Sequence, residues 1–315
     1  MQLVRGLHNL RQAHRGCVAT IGNFDGVHLG HQAVFARLCE HGRQLGEPAT
    51  VITFEPQPQE YFVPEAAPAR LTRLREKVTA IRATGVDRLL VLEFGARLAA
   101  MSAEAFVSGL LVGTLGIRHL YVGDDFRFGQ GRRGDVELLR QAGARHGFAV
   151  DRLDTVAHEN ARISSSRIRA ALEEGDFATA AACLGRPYRI CGRVVHGRKL
   201  GRGIGFPTAN VDLHRRVSPV RGVFAVRVLG IDPVPLPGVA NVGNRPTVDG
   251  GSRDRLEVHL FDFARDVYGA HVEVEFVRKI REERKFPSFE DLRRQIELDA
   301  RAARGILGVN GQWVW

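Results

Sequence analysis

Two textures of hydrophobic patterning divide this chain. Up to residue 184, short uninterrupted apolar runs alternate with stretches of helical periodicity. The runs at 17–22 (CVATIG), 49–54 (ATVITF), 87–93 (DRLLVLE), 117–123 (IRHLYVG) and 148–153 (FAVDRL) read as strands. Helical stretches fall between them at about 31–46, 72–84, 102–113 and 135–146. Continuous apolar strands separated by helices predict a doubly wound parallel sheet covered on both faces, which binds ligands beyond the carboxyl ends of its strands. Two short helices, about 164–174 and 176–184, close this half. From Tyr188 onward the strand-like pieces at 189–196, 222–229, 237–243, 255–262 and 271–279 are punctuated by Gly and Pro. No long helix follows until 288–304. That pattern predicts a small antiparallel β-barrel with a C-terminal helix. The textures change near Gly185–Pro187, so the expected class is α/β plus β, with domains 1–184 and 185–315.

Composition adds exclusions. With 44% apolar and 25% charged residues, the chain has material for two cores and is not a disordered polymer. No apolar run approaches the length of a membrane span, and the N-terminus has no apolar signal segment. The four cysteines (Cys17, Cys39, Cys183, Cys191) form no C-x-x-C pair and read as reduced thiols of a cytoplasmic protein without a zinc site. The net charge of +10 is uneven: residues 1–184 carry 22 basic and 20 acidic side chains, residues 185–315 carry 23 and 15. Of the 45 basic residues only four are lysines, 77, 199, 279 and 285. An excess of that sign points to phosphate-bearing small molecules or to nucleic acid. Genomic base composition is a further source of so many arginines. Nothing in the pattern specifies a homo-oligomer.

The first candidate site is Gly22-Asn23-Phe24-Asp25-Gly26-Val27-His28-Leu29-Gly30-His31, between the first strand and the first helix. Its glycines allow a tight turn and close approach to a ligand, and the helix start offers free N–H groups to an anion. His28 and His31 share one face of the first helical turn, where two imidazoles suit polyphosphate oxygens. Metal ligation is the rival use of such a pair, but no third ligand at compatible spacing is evident. Near the end of this half, Ser164 is a good N-cap, and Ser165, Ser166 and Arg169 would face a phosphate at that helix terminus.

In the second half, residues 192–210 (GRVVHGRKLGRGIGFPTAN) form a glycine-dense basic segment, including Gly197, Lys199, Gly203, Gly205 and Pro207, that can wrap phosphates with backbone amides. The same loop would also suit nucleic acid. No helix-turn-helix, RRM or zinc-finger pattern accompanies it, and basic residues are interspersed with acidic ones, as at 281–285. Thr208 and Asn210 offer hard oxygen ligands of the kind Mg²⁺ takes beside nucleotide phosphates. In an alternating strand, Glu257 and His259 point one way while Leu256, Val258 and Leu260 face the core. A plain solvent-facing strand accounts equally for Glu257. The G-x-G-x-x-G at 129–134 is set aside, because it does not run directly from a strand into a helix. It reads as a flexible loop over the nucleotide site.

These motifs, with Phe54–Pro58, Leu71–Lys77 and Gly123–Gly129, resemble the bacterial bifunctional riboflavin kinase/FAD synthetases, within the nucleotidyltransferase superfamily with its H-x-G-H motif. The resemblance covers residues 1–308. It implies FMN adenylylation in the first domain and riboflavin phosphorylation in the second, with ATP as co-substrate, Mg²⁺ as metal, and riboflavin, FMN and FAD as substrates and products. It implies ATP and phosphate contacts at Gly22, Asn23, Phe24, Asp25, Gly26, Gly30, Gly123, Asp125, Ser164, Ser165 and Ser166, and in the second domain at Gly197, Lys199, Gly203, Gly205 and Pro207. His28, His31 and Arg169 would serve adenylylation, and Glu257 in E-x-H-L would be the base of the kinase step. Phe128, Arg245 and Tyr268 are implied flavin contacts, and Thr208 and Asn210 the metal ligands. Many members have Asp at position 55, His at 57 and Thr at 166, where this chain has Glu55, Gln57 and Ser166. The expected partners are small molecules, with neither nucleic acid nor membrane.

Overall fold

The computed structural model describes residues 1–152, 156–196, 206–246 and 252–309. It separates into two compact units, one comprising Met1–Pro68 with Leu74–Ser164, the other Ala69–Arg73 with the chain from Ser165 onward.

In the first unit, β1 (Gln2–Arg5), β2 (Cys17–Ile21), β3 (Ala49–Glu55), β4 (Arg88–Glu93), β5 (Ile117–Val122) and β6 (Ala149–Arg152) form one parallel sheet in the order β1-β4-β3-β2-β5-β6. The helices are α1 (Leu29–Leu45), α2 (Pro58–Phe62), α3 (Leu74–Arg82), α4 (Ala96–Ala99), α5 (Ala103–Ala105), which continues as a π-helix over Phe106–Thr114, and α6 (Val136–His146). Successive strand residues face opposite sides. Val18, Val51, Leu89, Val91 and Tyr121 pack with Phe35 and Leu38 of α1 and with Val78 and Ile81 of α3. Ala19, Ile21, Ile52, Leu90, Leu92 and Leu120 pack instead with Phe106, Leu110 and Leu111 and with Leu139 of α6. Each face therefore has its own helix layer, as the apolar runs predicted. All five residues of β2 are buried, which fixes it in the middle of the sheet. The chain runs from β2 through β3 to β4 on one side, then crosses to β5 on the other. The strand order thus reverses between β2 and β5, where open parallel sheets form a binding crevice. A short hairpin, β7 (Ala157–His158) with β8 (Ala161–Arg162), ends the unit. β1 was not anticipated: only Val4 of its four residues is buried, so the edge strand carries no apolar run.

The second unit is a closed antiparallel barrel of β9 (Arg189–Val195), β10 (Ala209–Asp212), β11 (Gly222–Leu229), β12 (Leu236–Pro246), β13 (Ser252–Leu260) and β14 (His271–Arg281), in the order β10-β13-β12-β11-β14-β9. It also holds α7 (Ser165–Glu174), α8 (Phe177–Leu184) and α9 (Phe289–Leu307). Five strands were expected here too. The sixth, β10, reads Ala-Asn-Val-Asp and buries only Val211, yet it pairs with both β9 and β13 and closes the barrel. The Ser288 hydroxyl caps α9 by accepting from the Asp291 N–H, and Ala300 and Ala303 pack it against Val223, Ala225 and Val239. Arg281 of β14 donates twice from Nε to Asp299 of α9 and once from Nη2, at 2.9, 3.0 and 2.6 Å.

The change of compact unit falls at Ser164/Ser165, upstream of the change of texture near residue 185. Packing explains the offset. The Phe177 ring of α8 meets Phe224 and Phe276 of the barrel, and Arg215 donates to the Arg70 carbonyl at 3.0 Å and to the Tyr188 hydroxyl at 3.1 Å.

Candidate active sites

The carboxyl end of β2 leads into the glycine-rich loop. Asn23 turns its carbonyl inward, where it accepts from Lys77 Nζ at 2.6 Å and from Thr53 Oγ1 at 3.3 Å. Phe24, Gly26 and Val27 then take left-handed conformations at φ 46°, 84° and 46°. Of the three expected turn glycines only Gly26 lies in the left-handed region. The other two make room for rings: a Cβ at Gly22 would lie 3.0 Å from the Phe24 ring, and one at Gly30 would lie 3.1 Å from His28. Asp25 is buried in the loop.

His28 is the N-cap of α1, and its Nδ1 accepts the His31 N–H at 3.3 Å. In the neutral ring that bond leaves the proton on Nε2, so His28 presents a donor. The two imidazoles stack with centroids 3.5 Å apart and planes 19° apart, and the Phe24 ring meets His31 edge-on at 5.1 Å. Burial, followed by the nearby His28 and then Lys77, holds the His31 pKa well below the usual histidine value. His31 Nδ1 is sealed from solvent and has no hydrogen-bond partner among the described residues, the kind of orphan that a ligand satisfies. Among the described residues, no group of three or more His, Cys, Asp and Glu side chains is placed to hold a metal ion. The Ile163 carbonyl lies 3.9 Å from where a Gly30 Cβ would stand, which brings the approach to Ser164 alongside the start of α1.

Other expected contacts of this half fall in three settings. Gly123 begins the turn after β5, closed by the Phe126 N–H donating to its carbonyl at 3.2 Å, and Asp125 is exposed there. Phe128 lies in the core, its ring against Phe106 and Phe126. The Gly129–Gly134 loop is not the loose cover expected. Phe128 and Gly134 exchange backbone bonds at 3.1 and 2.9 Å, Gln130 N–H reaches the Met101 carbonyl at 2.8 Å, and Gly129 packs directly on Ala103. In the second unit, Ser165 and Ser166 open α7, and Arg169 Nε donates to the Ala69 carbonyl at 2.6 Å. Arg169 thus ties the Ala69–Arg73 segment to α7.

In the barrel, β13 lies between β10 and β12, so Asn210, Glu257 and Asn241 form one cross-strand row. Leu256, Val258 and Leu260 are buried and alternate with the half-buried Glu257 and His259, as the pattern predicted. His259 Nδ1 donates to the Pro207 carbonyl at 2.9 Å, and burial depresses the pKa of that ring. This tether sits next to Thr208, which with Pro207 and Tyr268 lines a cavity of ≈ 110 Å³. The Tyr268 ring lies against His196 with centroids 3.8 Å apart and planes tilted by 34°. Glu257 and Asn210 are not among the lining residues. Arg245 falls in β12, opposite Arg253 by register. The expected phosphate contacts Gly197, Lys199, Gly203 and Gly205 lie outside the described residues.

Known proteins divide along the same lines. The FAD synthetase family profile matches residues 10–167, and the riboflavin kinase profile matches residues 184–307. A bifunctional riboflavin kinase/FMN adenylyltransferase of Escherichia coli K12 is 53% identical over 98% of this chain and 99% of its own length. That settles the kinship. The chain belongs to the bifunctional riboflavin kinase/FMN adenylyltransferase family. The relative from Pseudomonas fluorescens is 55% identical over 97% of this chain and 98% of its own. A crystal structure from Streptococcus pneumoniae, described as a macrolide-efflux protein, matches with a TM-score of 0.78 and 30% identity over 96% of this chain and 99% of that one. Among the described residues here, no helix is long and apolar enough to cross a membrane.

Within a member of this family, three residues to which the sequence assigned no role are informative. Thr53 and Lys77 bind the inward carbonyl of the first loop, and Asn241 stands beside Glu257. For Lys77 a signal existed: it shares the apolar stripe of α3 with Leu74, Val78 and Ile81. Asn241 carries no such mark, because its place in the row depends on strand register.

Proposed function

We propose that the chain makes FAD from riboflavin in two steps: ATP + riboflavin → FMN + ADP, then ATP + FMN → FAD + pyrophosphate. What carries the reading is near-full-length kinship with bifunctional relatives, together with two family matches that fall on different folds. The adenylylation step is assigned to residues 1–184 and the kinase step to 185–315.

The two reactions ask for different help. The ribityl hydroxyl of riboflavin is neutral, so its attack on the γ-phosphorus of ATP benefits from a carboxylate that accepts the proton as ADP leaves. Glu257 is our candidate for that base. Thr208 and Asn210 offer oxygen donors of the hard kind that suits Mg²⁺ rather than a softer metal. Bound with ATP, Mg²⁺ would offset charge on the β- and γ-phosphates. The His259 bond to Pro207 would hold Thr208 and Asn210 in place, and the cavity beside Tyr268 would take part of a planar ring.

FMN brings a phosphate oxygen that is already anionic, so its attack on the α-phosphorus of ATP needs positioning and charge stabilisation rather than a base. Pyrophosphate leaves with growing negative charge, and His28 Nε2–H, the start of α1 and the loop N–H groups are donors of the required kind. The parts of Ser164, Ser165, Ser166 and Arg169 in this step rest on the family resemblance. All four cysteines are free, in keeping with a cytoplasmic setting.

The direct test is a chromatographic time course of purified protein with riboflavin, ATP and Mg²⁺. FMN should appear first and FAD after it. Riboflavin left unchanged in that mixture would sink the reading.

A further inference from the structure

Lys77 is a fully buried cation. It sits on α3 in a stripe with Leu74, Val78 and Ile81, inside the core formed with Phe24, Val27 and Phe35. Removing an ammonium from water is costly, and a methionine or leucine in that stripe would fill the space without the penalty. Its Nζ reaches the Asn23 carbonyl at 2.6 Å, a short charge-assisted bond, and stands 3.5 Å from Thr53 Oγ1. Thr53 donates to the same carbonyl at 3.3 Å. Only four of the chain's 45 basic residues are lysines, and this is one of them.

The bonded carbonyl belongs to a strained segment. Phe24 and Val27 both lie at φ 46°, a region that L-residues avoid and that is especially unfavourable for β-branched valine. Such conformations persist where the surroundings over-determine them. There is also a directional consequence. In a trans peptide the C=O and the following N–H point opposite ways, so drawing the Asn23 oxygen inward to Lys77 turns the Phe24 N–H outward, away from the core. An outward N–H in a left-handed turn, just before a helix start, is an anion donor.

We propose that Lys77 is a positioning residue for adenylylation: through the Asn23 carbonyl it holds the Asn23–Val27 turn in the shape that aims the Phe24 N–H and sets His28 and His31 at the start of α1. It touches no substrate. The inference rests on the reading that this loop carries the adenylylation site. A second effect runs through charge. Among the described residues, His28 and then Lys77 act on His31 by charge, and both disfavour its protonation.

The experiment compares Lys77→Met, Lys77→Gln and His28→Ala with the parent protein. Readouts are FAD formation from FMN and ATP across pH, riboflavin phosphorylation, and thermal unfolding. Lys77→Met keeps the packing volume and loses the cation. It should lower kcat for adenylylation at least thirtyfold, move the acid limb of the pH profile to higher pH, and leave both the kinase rate and the unfolding temperature close to the parent's. Lys77→Gln keeps a shorter, neutral donor, so it should fall between the two with the same upward shift of the acid limb. It decides the matter should Lys77→Met fail to fold. Adenylylation within threefold of the parent in the folded variants, or a parallel loss of both activities, overturns the proposal. His28→Ala separates the two levels of inference. If it leaves FAD formation intact, the site reading itself fails. If it abolishes FAD formation while the lysine variants match the parent, only the role given to Lys77 fails.

Discussion

Gly30→Ala offers a test in which stability and activity are expected to part company. Gly30 lies in the first turn of α1 without a left-handed φ, so alanine suits its backbone. By helix propensity and unfolded-chain entropy, the substitution should add about 0.4–1 kcal/mol of stability. The new Cβ, however, would stand 3.1 Å from both Cε1 and Nδ1 of His28, where ordinary contact begins at 3.4 Å. The imidazole must therefore move by a few tenths of an ångström. It is not free to do so without loss, because it stacks on His31 at 3.5 Å and accepts the His31 N–H at 3.3 Å. Displacement of a reacting group by about 1 Å costs on the order of a hundredfold, so a shift of this size should lower adenylylation by about three- to thirtyfold. The assay is steady-state FAD formation from FMN and ATP, with riboflavin phosphorylation in the same preparation as the internal control and a thermal melt alongside. The expected result is slower FAD formation in a protein that is no less stable and phosphorylates riboflavin normally. A parent-like rate of FAD formation would refute the placement of His28 at the reaction centre.

Three further outcomes follow from particular contacts. Asp299→Ala removes a buried carboxylate from half-buried Arg281, whose guanidinium keeps access to water, so the loss is about 1–3 kcal/mol, that of a charged hydrogen-bond partner; at about 2–4 °C per kcal/mol for a unit of this size, calorimetry should show its transition lowered by ~2–12 °C. His31→Gln should weaken the acid sensitivity of folding: above the ordinary histidine pKa of about 6.5 both folded and unfolded chains hold residue 31 neutral, whereas below it the unfolded chain binds a proton that the folded site disfavours, so stability falls with pH. Unfolding free energies at about pH 7.5 and 5.5 should differ less in the variant than in the parent, because the sharpest part of that proton uptake lies between them. His259→Leu removes the donor to the Pro207 carbonyl, and should slow riboflavin phosphorylation about tenfold with FAD formation from FMN unchanged.

Much of the architecture was legible because burial leaves a one-dimensional trace. β2 through β5 are buried on both faces, and uninterrupted apolar runs announced each of them. β1 and β10 were not legible for the converse reason: each buries a single residue and is held by its neighbours' backbone hydrogen bonds, which any sequence can make. The stacked histidines follow from a spacing of three on a helix, and the outward-facing Glu257 from strand alternation. Three features depended on contacts between distant segments and left little local trace. The Phe128 ring packs against Phe106 and Phe126, the G-x-G-x-x-G loop is pinned to Met101 and Ala103, and Arg169 is bonded to Ala69. The basic excess of the second half remains larger than the few loop cations near a nucleotide require.

The claim at the centre of this account is that one chain holds two chemically distinct sites. Its most direct test is a cross-over measurement with two variants, Glu257→Gln and the double variant His28→Ala with His31→Ala, each supplied separately with riboflavin and with FMN in the presence of ATP and Mg²⁺. Glu257→Gln should lose about 10²–10⁴-fold in riboflavin phosphorylation yet convert FMN to FAD at the parent's rate. The double histidine variant should make FMN normally and accumulate it without forming FAD. Loss of both activities in either folded variant would contradict two independent sites.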